Sequence, residues 1–135
     1  MNVLLDFDGT LVEFEFPKIG REVPHAMRVV KRLKDAGHKI ILNTMRCEFF
    51  DGTLEKAVIW FNSHHDWDMT LEGVTTQKVH PFWKPEKEYT DLYGLCIDDS
   101  AAQMPLIPAV MTAGKMVDWL AVEKILEENN IILKP

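Results

Sequence analysis

Short apolar runs alternate with amphipathic stretches along this chain, and that alternation constrains the fold more than any other feature. Apolar runs bounded by turn signals suit strands buried on both faces, and amphipathic stretches between them suit crossover helices. The pattern predicts an α/β fold, a doubly wound, Rossmann-like and mostly parallel sheet flanked by helices. At 135 residues the chain fits one such domain, residues 1–135. A chain of that size buries roughly 68–70% of its unfolded surface and needs no disulfide or metal staple to fold.

Residues 2–5 read as a strand that ends on Asp6-Phe7-Asp8. Residues 22–36 read as a helix with Val23, Met27, Val30 and Leu33 on one stripe, closed by Gly37, the residue a left-handed helix end prefers. Residues 39–42 form a buried strand leading into Asn43-Thr44-Met45-Arg46. Asp51 caps a second helix over 52–62, where Leu54, Ala57, Val58 and Phe61 share a face. Further strands are expected at 74–79, at 93–97 ending on Asp98-Asp99, and at 108–111. A helix over 117–129 turns Val117, Leu120, Ala121 and Ile125 inward, and the stretch from His80 to Pro85 is irregular.

The rest of the composition removes other classes. No apolar run approaches the ~20 residues of a membrane span, and the opening MNVLLDFDGT lacks the basic region of a signal peptide. Cys47 and Cys96 are too few for a disulfide framework, so a reduced, cytoplasmic protein with no membrane partner is expected. A net charge of −6 speaks against bulk nucleic-acid binding and leaves a phosphorylated nucleic-acid end as the exception.

In an open parallel sheet, ligands bind outside the carboxyl ends of the strands. Three predicted strands deliver Asp6 and Asp8, Thr44 and Arg46, and Asp98 and Asp99 to that edge. Carboxylates gathered there repel one another, so a cation is expected among them. All-oxygen ligation suits Mg²⁺ better than zinc or copper, and such a cation draws in a phosphate. Gly9 lets the backbone turn sharply, with neighbouring N–H groups of Gly9 and Thr10 able to face an anion. One carboxylate of the Asp6/Asp8 pair can then attack phosphorus while the other handles the proton.

Asp6-Phe7-Asp8-Gly9-Thr10 resembles the signature of the haloacid dehalogenase-like hydrolases, most of which are phosphatases. Ile40-Ile41-Leu42-Asn43-Thr44 is similar to the family's second motif and Leu95-Cys96-Ile97-Asp98-Asp99 to its acidic fourth, in the same order. The resemblance implies Asp6 as nucleophile and Mg²⁺ ligand. It implies Asp8 as general acid/base, contributing its backbone carbonyl to the metal. Thr44 would hydrogen-bond the phosphoryl group, Asp98 would ligate Mg²⁺ directly, and Asp99 would support it through water. The balancing lysine of the third motif falls to Lys87, in Lys87-Glu88-Tyr89-Thr90-Asp91, with Lys84 of Lys84-Pro85 as the alternative and Lys78 also upstream. Neither gap between motifs has room for a cap domain, so the chain resembles the small capless phosphatases of bacteria and phages.

The reaction implied is Mg²⁺-dependent hydrolysis of a phosphate monoester through an aspartyl-phosphate, with a phosphorylated small molecule or nucleotide as substrate. An open site of this kind also suits closure by a neighbouring subunit of a homo-oligomer. Two rivals share the residues: a receiver-like phospho-acceptor and a non-catalytic phosphate- and Mg²⁺-binding module. Chain order argues against the receiver, whose phospho-accepting Asp follows an N-terminal acidic pair. Arg46 reads equally as a phosphate fork or as a surface ion pair with Glu48. Phe14 and Phe16, alternating with Glu13 and Glu15, suit a flap hairpin with one packed face. Phe82 and Trp83 suit a wall over the site or a core beneath a loop. His64 and His65 read as a solvated helix terminus, and Cys96 as a small buried hydrophobe.

Overall fold

The computed structural model describes residues 1–46, 52–62, 73–76 and 94–135. Cys47, Asp51, His64, His65, Lys78, Phe82, Trp83, Lys84 and Lys87 lie outside these residues. Strands β1 (Asn2–Leu5), β2 (Lys39–Thr44), β3 (Gly73–Thr76) and β4 (Leu95–Ile97) form a parallel sheet in the order β3-β2-β1-β4. The chain therefore grows outward from β1 through β2 to β3, then returns to the other side of β1 to add β4. In the register, Val3 lies opposite Ile40 and Leu95, and Leu5 opposite Leu42 and Ile97. Val3, Leu4, Leu5, Ile40, Ile41 and Leu42 are all buried, so both faces of these two strands are covered. This is why their sequences run apolar without alternation. With helices α1 (Ala26–Asp35), α2 (Thr53–Asn62) and α3 (Trp119–Glu128), the described domain is of the α/β class. Among the described residues no helix is long and apolar enough to cross a membrane.

Helix α1 begins at Ala26, four residues after the expected start at Glu22, and Pro24 supplies the reason. The residue before a proline is driven to extended backbone. Val23 accordingly donates its N–H to the Leu11 carbonyl at 2.8 Å, and Glu22 bridges Val12 in antiparallel fashion. Val23 stays in the core with Met27, Val30 and Leu33, but as part of a β-like turn. Beyond the helix, Gly37 has φ of +93° and donates to the Lys34 carbonyl.

The last helix differs more. Residues 115–117 are strand β6 (Lys115–Val117), paired antiparallel with β5 (Leu106–Pro108) in a two-stranded sheet of its own. The strand expected at 108–111 is thus displaced, because Ala109 donates to the Gly114 carbonyl and closes the hairpin turn there. Asp118 caps α3, its side chain accepting from the Ala121 N–H. The helix buries Trp119, Val122 and Leu126, while Leu120 and Ile125, expected inside, are 53% and 44% exposed. Val117 is buried as expected, but from the strand. Cys96, expected to be buried, is exposed on β4, whose neighbour among the described strands is β1 alone.

Residues 11–23 form the flap, and the expected alternation of faces is absent, since Glu15 is exposed along with Phe14 and Phe16. Glu13 is buried, whereas Phe14 and Phe16 are largely exposed. The Glu13 carboxylate accepts the Met111 N–H at 2.8 Å, tying the flap to the β5–β6 turn. Leu126→Ala should lower stability by about 2–5 kcal/mol, as for a core leucine. Leu120→Ala should cost about 0.5 kcal/mol or less. Urea denaturation of the two variants checks which face of α3 is inside.

Candidate active site

The site is assembled where β1 and β4 end. The Asp6 N–H donates to the Ile97 carbonyl at 3.0 Å, which extends the parallel ladder by one step and brings Asp6 and Asp98 side by side. Oxygens of Asp6, Asp98 and Asp99 lie within 4.8 Å of one another, each residue half-buried. Two hydroxyl groups hold these carboxylates in place. The buried Thr10 Oγ1 donates to Asp6 Oδ2 at 3.2 Å and accepts the Asp99 N–H at 3.1 Å. The Ser100 N–H and hydroxyl both donate to Asp98 Oδ1, at 2.9 and 2.8 Å.

Gly9 serves a different purpose here from the anion cradle expected of it. Its φ is +83°, and a Cβ at this position would sit 2.3 Å from Asp99 Oδ2. Only glycine lets Asp99 approach this closely. The Gly9 N–H donates to the Val12 carbonyl and the Thr10 N–H to the Phe7 carbonyl, so both close the turn. From below, the indole N–H of buried Trp119 donates to the Thr10 carbonyl at 2.7 Å, and the Val117 N–H to the Gly9 carbonyl at 3.1 Å. Trp119 escaped the sequence reading: a tryptophan after a helix cap carries no local signal of a loop more than a hundred residues away.

Asp8 leaves the cluster. Its carboxylate is held side-on by Arg46, with Nε to Oδ2 at 2.8 Å and Nη2 to Oδ1 at 2.6 Å. Only its backbone carbonyl is then left for the metal contact that the family resemblance implies. Arg46 thus has a partner that neither sequence reading names. Thr44 ends β2, beyond the Leu5–Leu42 pair, and its buried hydroxyl accepts the Arg46 N–H at 3.1 Å. Thr44 and Arg46 therefore reach the same sheet edge as Asp6. Lys87 and its alternative Lys84 lie outside the described residues.

Burial, then the hydrogen bond with Asp99 and the charges of Asp98 and Asp99, push the Asp6 carboxyl up to about 8. Asp99 is raised as well, chiefly by burial and by its contact with Asp98. Like charges packed together resist joint ionisation, and among the described residues no cationic side chain pairs with them. All three donors are hard carboxylate oxygens, the set that suits a divalent cation such as Mg²⁺ or Ca²⁺. Asp6, Asp98 and Asp99 are the described residues that could hold one.

No family model and no curated protein matches the chain. A solved structure of a conserved protein from Bacteroides thetaiotaomicron is similar to it, with 25% identity and a TM-score of 0.62. The likeness covers 96% of this chain and 91% of that one. It supports a shared architecture and assigns no reaction.

An acid whose folded pKa is raised stabilises the fold most below its unfolded value, and that contribution is lost as pH rises through the folded value. For Asp6 the window runs from 3.8 to about 8. Glu123, held down to about 2 mainly by its hydrogen bond to Arg28, has the opposite slope but acts only between 4.5 and about 2. In chelator, the urea midpoint should therefore fall between ~pH 5 and ~pH 8. Asp6→Asn should remove most of that fall, and Mg²⁺ should restore the wild type more than the variant. A wild-type midpoint insensitive to both pH and cation would contradict this account of the cluster.

Proposed function

We propose that this chain is a Mg²⁺-dependent phosphohydrolase that cleaves phosphate monoesters through an aspartyl-phosphate on Asp6, on a capless, doubly wound, Rossmann-like domain. One observation carries the reading: Asp6, Asp98 and Asp99 gather within 4.8 Å at the carboxyl edge between β1 and β4. That is where the strand order reverses, the place where open parallel sheets bind ligands. The ordered sequence motifs around Asp6, Thr44 and Asp98 supply the reaction class.

Mg²⁺ held by Asp6, Asp98 and Asp99 would supply positive charge that keeps Asp6 ionised and offsets the charge of the phosphoryl group. Asp6 Oδ attacks phosphorus in line with the ester bond, and that P–O bond breaks. On this reading Asp8 enters the cycle protonated on a lone pair that Arg46 leaves free, and it gives that proton to the departing oxygen. It then takes a proton from the water that attacks the aspartyl-phosphate, and inorganic phosphate leaves with Asp6 restored. Proton transfer of this kind contributes about 10²–10⁴-fold. The Thr44 hydroxyl and Lys87 hold the equatorial oxygens on this reading, the lysine resting on its sequence motif alone. The substrate is a phosphorylated small molecule or a nucleotide, and the protein works in the cytoplasm.

Purified protein should release nitrophenol from p-nitrophenyl phosphate with Mg²⁺ and stop in excess chelator. Asp6→Asn should abolish turnover and retain the fold. Comparable activity in that variant would rule out the covalent route. Phosphate that persists on Asp6 without turnover would support the phospho-acceptor reading instead.

A further inference from the structure

Arg46 is 1% exposed, with its guanidinium carbon 4.9 Å from the ring centre of Phe7 and 5.2 Å from that of Phe16. A guanidinium carries five N–H donors, and here every one has an acceptor. Nε and Nη2 donate to the two oxygens of Asp8. Nη2 also donates to the Lys18 carbonyl at 2.9 Å, and Nη1 to the carbonyls of Pro17 at 3.4 Å and Thr53 at 3.3 Å. A buried cation is costly unless its donors are met. This one is met by a carboxylate, the flap and the first residue of α2 together. Its donors are thereby spent within the protein, which removes it from the role of phosphate fork.

We infer that Arg46 is a positioning residue: it fixes the direction of the Asp8 carboxylate and couples it to the flap at Pro17 and Lys18. The inference rests on the phosphatase reading, in which Asp8 protonates the leaving oxygen. Each carboxylate oxygen has two lone-pair sites. Arg46 occupies one on each and leaves another free to carry the proton that passes to the leaving group and is later regained from water. Asp8 keeps 11% of its side chain exposed. Lysine keeps the charge but lacks the planar fork that grips both oxygens at once.

The test compares kcat/KM, which reports the first irreversible step, for p-nitrophenyl phosphate and for ethyl phosphate in Mg²⁺. Nitrophenolate departs with little need of a proton, and ethoxide needs one. Arg46→Lys should raise the ratio of the two kcat/KM values about tenfold or more in favour of the nitrophenyl ester, as Asp8→Asn does. In the Asp8→Asn background, Arg46→Lys should leave the ratio unchanged. Equal losses on both esters in an active wild-type background overturn the role of Arg46 alone. A wild type that hydrolyses neither ester overturns the phosphatase reading and this inference with it. If Arg46→Lys fails to fold by circular dichroism, Arg46→Gln takes its place, and failure of both makes Arg46 a structural residue and overturns the proposal.

Discussion

Three carboxylates within 4.8 Å of one another, at a sheet edge only half open to water, repel strongly unless a proton or a cation joins them. The surroundings of Asp6, Asp98 and Asp99 enforce that arrangement. Thr10 bridges Asp6 and the backbone of Asp99, Ser100 grips Asp98, and Gly9 gives way to the Asp99 carboxylate. A cation bound there would offset the repulsion among these carboxylates.

Asp8 meets the same electrostatic problem with a different answer. Its counter-charge is internal, a buried arginine that also reaches two flap carbonyls and the start of α2. Two aspartates separated by one residue are thus sorted into different chemistry. Among the described residues no cation pairs with Asp6 and its neighbours, whereas Asp8 is paired with Arg46, which holds it in one orientation. In the proposed reaction, such a division suits a nucleophile that binds a cation beside a proton carrier that must keep its place.

The support behind this edge comes from the end of the chain. Trp119 and Val117 bind the carbonyls of Thr10 and Gly9, so α3 and β6 brace the loop that carries the aspartates. Glu123 on α3 pairs with Arg28 and Arg32 on α1. Arg32 also donates to the Leu133 carbonyl. Salt bridges this exposed add little stability individually. The buried indole and the apolar core of Trp119, Val122 and Leu126 carry the attachment.

The positions of strands β1, β2 and β4 along the chain, the buried stripe of α1 and the polar residues at the strand ends were legible in the sequence, because periodicity and strand-end position are local properties. The face of α3, the inward turn of Glu13, the exposure of Cys96 and the brace from Trp119 were not. Each depends on which distant segment covers a side chain. The partner of Arg46 belongs to the same group: Asp8 lies 38 residues away in sequence, and only the parallel pairing of β1 with β2 carries the two to one edge. Sequence alone therefore determined which groups the edge would carry. Tertiary structure decided which of them share a charge, since Coulombic and hydrogen-bonding partners follow distance in space and leave no periodic trace along the chain.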